Sequence, residues 1–240
     1  MIKMKKKVIW INLILAVLLI STIFFALTHG ASNFSMQKMT NSQLNILFNI
    51  RVPRIISALV AGASLSVSGA FFQATLRNPI AEPGIMGISS AASLCQLLAV
   101  IILPEIFFGK IIFAIIGGLL AFGLLLLFQK KMTPYQLIII GVALNAVFTG
   151  MQEVFTNNQN SGSSLATSSW GSTMYLLVIG IIGLICAICF MNLANYLKVN
   201  DEELTSLGVS AKTLRLVLML IAVVLAATTT ACIGVLAFIG

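Results

Sequence analysis

Charge is what this sequence has least of. Asp, Glu, Lys and Arg make up 8% of its 240 residues, against about a quarter in an ordinary soluble domain. With 59% hydrophobic residues and a mean hydropathy of +1.08, there is too little polar surface to wrap a water-soluble core. Histidine occurs once, at His29, and no pair of carboxylates stands where acid–base chemistry could use it. A G-x-x-x-x-G-K-[ST] phosphate cradle is absent, so any work driven by nucleotide needs a hydrolase on another chain. Glu153 is the sole acid within an apolar run, which argues against an ion-driven carrier built on buried charges. The four cysteines, Cys95, Cys186, Cys189 and Cys232, all fall inside apolar runs, where a disulfide framework is not expected. Cys186 and Cys189 have no His or carboxylate near them and read as filler rather than ligands. No metal or cofactor is implied, and nothing resembles a nucleic-acid-binding tail.

What is present is one long apolar run after another. A helix needs about 20 mostly apolar residues to cross a bilayer, and seven such spans are expected, roughly 8–28, 52–74, 84–103, 110–128, 134–156, 172–192 and 214–233. Strand alternation is missing, so the fold class is an all-α polytopic membrane protein rather than a β-barrel. The whole of 1–240 reads as one transmembrane domain. The first span follows a basic start, Lys3 to Lys7, but is long for a signal peptide and lacks a small-x-small cleavage site, so it is expected to be retained.

The basic residues set the orientation. With the N-terminus in the cytoplasm, Lys3, Lys5, Lys6, Lys7, Arg77, Lys130, Lys131, Lys198, Lys212 and Arg215 lie inside, while Lys38, Arg51, Arg54 and Lys110 lie outside, ten against four. The net charge of +8 is then a topological signal and a contact with lipid headgroups.

Within the second span Ala58, Gly62, Ser66 and Ala70 recur every four residues, with Ser64, Ser68 and Gly69 close to them. Small residues at this spacing let helix backbones approach closely in lipid, so this span is expected to be central and buried. Just before it, Arg51-Val-Pro-Arg54 places two guanidiniums at i and i+3 on the outer side, against the positive-inside trend. They could dock a partner's carboxylates or anchor to lipid headgroups. After the span, Asn78-Pro79 and Glu82-Pro83-Gly84 are turn and helix-start chemistry, and a tight cytoplasmic hairpin is expected there, leading through Gly87 into the third span.

The stretch RVPRIISALVAGASLSVSGAFFQATLRNPIAEPGIMGISSAAS (51–93) resembles the signature of the membrane permeases of iron-siderophore, haem and cobalamin ABC importers, the FecCD-type family. GVALNAVFTG (141–150), Trp170 and LGVSAKTLR (207–215) follow in the family's order, so the resemblance runs from about Arg51 to the last residue. It implies a type II importer permease of ten helices per subunit, paired with a second permease subunit. A cytoplasmic ABC ATPase and an extracytoplasmic substrate-binding protein would complete the assembly, in the cytoplasmic membrane. It further implies that Arg51 and Arg54 meet carboxylates of the binding protein, and that Gln73, Asn145 and Thr149 stand by the pathway with Gly62, Ser66 and Gly69. It makes residues 192–213 a coupling segment seated in the ATPase through Asp201, Glu202, Glu203, Leu207 and Gly208, although Asn200-Asp201 replaces the family's Leu-Gly.

Family members continue past GVLAFIG (234–240) with about three more helices, so a C-terminally truncated permease is expected. Two functions follow: an import permease for a ferric siderophore, with haem and cobalamin as the other substrates, or a non-transporting remnant acting as a membrane scaffold.

Overall fold

The computed structural model describes residues 2–29, 40–102, 107–129, 132–156, 165, 168–197, 204, 206, 208 and 210–236. The helices are α1 (Ile2–Thr28), α2 (Asn41–Ile46), a π-helical turn (Leu47–Arg51), α3 (Val52–Leu76), α4 (Ile88–Ile102), α5 (Phe107–Gln129), α6 (Pro134–Thr156), α7 (Trp170–Tyr196) and α8 (Ala211–Ile233). No strand occurs among the described residues. Six apolar stretches are long enough to cross a membrane and α4 is a shorter seventh, so each expected span is present as a helix.

The chain divides into two compact units, Met1–Ile56 and Ser57–Gly240. In the first, α1 is mostly exposed from Lys6 onward, as a lipid-facing helix of Val, Ile and Leu should be, with Ile23, Leu27 and Thr28 half-buried. Its C-terminal carbonyls are orphans of the helical ladder. Arg51 satisfies one of them, donating from Nη1 to the Leu27 oxygen at 2.8 Å, a cation where the helix dipole is negative.

In the second unit α8 is the most enclosed helix. Its span is 72% buried, against 44% for the span that ends at Leu76. Leu218, Ala222, Val223, Ala226 and Ala227 pack into α3, α4, α5 and α7, and Thr228 and Thr229 turn their hydroxyls back to the Val224 and Leu225 carbonyls at 2.8 Å. Hydrogen bonds tie its backbone to its neighbours: Ser68 Oγ donates to the Ala222 oxygen and Gln96 Nε2 to the Ala231 oxygen, both at 2.7 Å.

Helix α3 is buried on one face only, and it is not the expected one. Ser57, Ala61, Ser64, Leu65, Ser68 and Phe72 face the protein, whereas Ala58, Ser66 and Ala70 are exposed and nothing lies within 4 Å of where a Gly62 Cβ would stand. Close helix contacts use other glycines. A Cβ on Gly117 of α5 would sit 2.5 Å from the Ala91 oxygen of α4, one on Gly180 of α7 2.6 Å from Val60 Cγ1 of α3, and one on Gly183 2.5 Å from Leu225 Cδ2 of α8. In lipid such approaches, rather than hydrophobic exclusion, hold helices together.

Helices α3 and α7 run parallel. The Ser57 and Thr173 hydroxyls share a hydrogen bond of 2.9 Å near their N-terminal ends, and Arg77 Nη2 donates to the Leu197 oxygen at 3.2 Å beyond their C-terminal ends. Twenty residues of α3 and its cap separate the two ties, about 30 Å at 1.5 Å per residue, the thickness of the hydrocarbon core.

Candidate functional site

The stretch between α3 and α4 is a deep, folded segment rather than the expected tight hairpin, and α4 starts at Ile88, not near Gly84. Arg77 ends α3 in the left-handed region, at φ 50, and the Asn78 nitrogen reaches back to the Gln73 oxygen at 3.2 Å. That is the long bond of a Schellman C-cap, with Arg in the place glycine usually takes. Asn78 then turns the chain: its Oδ1 accepts from the Ile80 nitrogen at 3.0 Å and its carbonyl from the Ala81 nitrogen at 3.2 Å.

From here the chain goes inward. Residues 81–84 and 86–92 are all buried, Glu82 included at 5% exposure. Irregular backbone at this depth must satisfy itself. The Met86 nitrogen donates to the Glu82 oxygen at 3.1 Å, Gly87 to Gly84 at 3.3 Å, and Ile88 and Ser89 to Pro83 at 3.1 and 3.4 Å. Pro79 and Pro83 have no N–H to lose, so they suit a turn that must avoid orphan donors.

Gly87 fixes where the segment meets α6. Its φ is +76, and a Cβ there would lie 3.0 Å from the Asn145 nitrogen and 3.2 Å from the Gly141 oxygen. Gly141 answers it: a Cβ on that residue would sit 2.8 Å from Met86 Cα. Two backbones are in contact with no side chain between them. Gly141 is seven residues into α6, so the turn reaches about 10 Å along that helix. This explains why α4 can have 15 residues. At about 22 Å it is shorter than the hydrocarbon core, and the folded segment fills the remainder. A last tie runs from Gln152 Nε2 of α6 to the Ser90 oxygen at 3.2 Å.

Of the residues singled out in the sequence, Asn78, Pro79, Glu82, Pro83, Gly84 and Gly87 thus form one segment, and Gly87 is brought onto Asn145. Asn145 is half-buried and Thr149 is exposed. Gly69 is buried, whereas Ser66 is exposed. Gln73 is half-buried and lines a groove of about 540 Å³ between α3 and α7 with Ala70, Ala74, Arg77, Met191 and Asn195. Arg51 and Arg54 belong to the other unit, both half-buried. Asp201, Glu202, Glu203 and Leu207 lie outside the described residues. Gly208 is a turn at φ +74 just before Ser210, whose Oγ caps α8 by accepting from the Thr213 nitrogen at 3.4 Å.

Sequence reasoning passed over Gly117, Gly141, Gly180 and Gly183, which make the closest glycine contacts; the signal was there as glycines inside long apolar helices. It also passed over Leu204, which is fully buried within the proposed coupling segment. Among the described residues no group of three His, Cys, Asp or Glu could hold a metal ion.

The profile of the FecCD transport family matches residues 9–240. The chain belongs to this family. Over its entire length the FecCD chain is 34% identical to the "Probable heme-iron transport system permease protein IsdF" of Staphylococcus aureus strain NCTC 8325, covering 78% of that protein. The same identity holds for the protein of that name in strain Newman, of which it covers 77%. Among solved structures it is similar to an "inward-facing conformation" of a "metal-chelate type ABC transporter", with a TM-score of 0.80 at 26% identity over 96% of this chain and 78% of that one. The FecCD chain is therefore a multi-pass membrane protein with an importer permease fold. The resemblance drawn from residues 51–93 holds, and the family match reaches back into α1.

Proposed function

We propose that this chain is the transmembrane permease subunit of an ATP-driven importer that moves an iron chelate, haem in the first instance, into the cytoplasm. The observation that carries the reading is similarity along the whole chain to a permease named for haem iron, together with the 51–93 motif. The lack of any nucleotide cradle assigns hydrolysis to a separate ATPase on the side of Arg77 and Gly208. The N-terminus is then cytoplasmic, and Arg51 and Arg54 face an extracytoplasmic binding protein. Ferric siderophore, expected from the breadth of the family, becomes the second substrate, because the two Staphylococcus aureus relatives carry haem iron in their names.

Asn145 and the exposed Thr149 of α6 are assigned to the pathway on the resemblance of residues 141–150 to the family. The test is uptake into proteoliposomes holding this chain with its ATPase and binding protein. ATP-dependent accumulation of haem, competed poorly by ferric siderophore, is expected. Uptake of siderophore alone would reassign the substrate, and uptake of neither would overturn the import reading.

A further inference from the structure

The groove between α3 and α7 is graded from charged to apolar along the direction of the helices. Helix α7 has 27 residues, about 40 Å at 1.5 Å per residue, which is the thickness of a bilayer with its headgroup regions. It begins at Trp170 and ends at Tyr196, and rings of this kind sit at the two interfaces of a membrane. Tyr196 therefore marks a headgroup level. Asn195 and Leu197 flank it, and Arg77 is held at the same level by the bond from its Nη2 to the Leu197 oxygen at 3.2 Å. Ile80, exposed at 60% just past Arg77, adds an apolar side chain at this end of the helices.

From that level the groove runs inward. Gln73 lies one turn below Arg77 on α3, and beyond it the walls are Ala70 and Ala74 on one side and Met191 and Ala194 on the other. Ala70 is seven residues from Arg77, about 10 Å deeper. The volume of about 540 Å³ is in the range of small-ligand sites. Arg77 brings a guanidinium fork suited to phosphate oxygens, and the Gln73 and Asn195 amides are further N–H donors on the same groove. A soluble anion would use this rim and not the walls. A hydrocarbon chain alone would use the walls and not the rim.

We infer that the groove is a binding site for one anionic phospholipid, with its phosphate on Arg77 beside Gln73 and Asn195 and an acyl chain laid between α3 and α7 over Ala70 and Ala74. Basic pockets between membrane helices at the cytoplasmic face hold headgroups of this charge, and that is the face on which the import reading puts Arg77. The site goes beyond that reading, since it concerns what braces the ends of α3 and α7 and not what is carried. A lipid seated there joins the two helices next to the Arg77–Leu197 bond.

The test reconstitutes the full chain in nanodiscs of phosphatidylcholine with a minor share of phosphatidylglycerol, counts the lipids retained on release by native mass spectrometry, and follows thermal unfolding. The wild type is expected to retain one phosphatidylglycerol in preference to phosphatidylcholine and to melt higher when it is present. Arg77→Gln should weaken that preference about fivefold, the contribution of one basic residue near a charged headgroup, while Arg77→Lys keeps it. Ala70 is exposed, so Ala70→Trp fills the groove without entering the protein core, and it should displace the lipid although Arg77 is intact. No preference in the wild type, or an equal preference in Arg77→Gln and Ala70→Trp, would overturn the site. Inorganic phosphate added to pure phosphatidylcholine nanodiscs should leave the melt unchanged; a rise matching that from phosphatidylglycerol would replace the lipid by a soluble anion. The uptake experiment decides the import reading separately from all of these.

Discussion

Gly87 presses its bare α-carbon against the backbone of Asn145, close enough that a methyl group there would lie 3.0 Å from the Asn145 nitrogen. The turn after α3 and the middle of α6 are thereby one packed body. A change in the turn is felt in the middle of α6 without passing through any flexible side chain.

Gly87→Ala should therefore fail twice, from the left-handed φ and from the collision. The conformational part alone costs about 1–2 kcal/mol. We expect a lower unfolding temperature in nanodiscs and loss of transport, while Gly62→Ala, with nothing within 4 Å, leaves the single chain's unfolding unchanged. Equal behaviour of the two variants would refute the packing.

At Gly180 the obstacle is the end of a side chain, Val60 Cγ1 at 2.6 Å. Gly180→Ala should destabilise the α3/α7 pair, and adding Val60→Ala should restore most of it. A double variant no better than the sum of the singles would show that the two residues do not meet.

Arg77 does two things at once: it takes a left-handed φ of 50 and it donates to the Leu197 oxygen. Gly and Ala substitutions separate them, because both lose the bond but only Ala keeps the backbone strain. Arg77→Ala should be less stable than Arg77→Gly by roughly 1 kcal/mol. Thermal melts of both against wild type read the difference.

Arg54→Glu should abolish capture of the permease by its binding protein while ATPase association persists. Arg51→Glu should do so too, and should in addition loosen the end of α1, since Arg51 also satisfies the Leu27 carbonyl. Undiminished capture by Arg54→Glu in a pull-down would remove the docking role.

Charge reversal at Glu202 and Glu203 tests the coupling segment. ATP hydrolysis by the assembled transporter should continue while uptake falls by tenfold or more. Uptake that stays coupled would place the ATPase contact elsewhere, for instance around the buried Leu204.

The number, order and class of the long apolar spans were written in the apolar runs, because a bilayer demands a length that nothing else in the composition explains, whereas the short helix Asn41–Ile46 and the π-helical turn after it were not. The turn was legible as well: Pro79 and Pro83 interrupt a helix, Asn78 and Gly84 favour turns, and Gly87 tolerates the φ it adopts. What the residues could not convey is which face of each helix meets which neighbour. In water the buried face is the apolar one, but in lipid both faces are apolar, and small residues mark a potential contact without naming its partner. The stripe on Ala58, Gly62, Ser66 and Ala70 looked like the packing face of α3, but the packing fell on Ser57, Ala61 and Leu65 together with Ser64, Ser68 and Gly69, the small residues at the edge of that stripe. The depth of the Arg77–Gly87 segment depended in the same way on tertiary contact, since irregular backbone is stable inside a membrane only where protein surrounds it. Gly141 provides that surrounding 54 residues later in the chain, a meeting that no local pattern around Gly87 could announce.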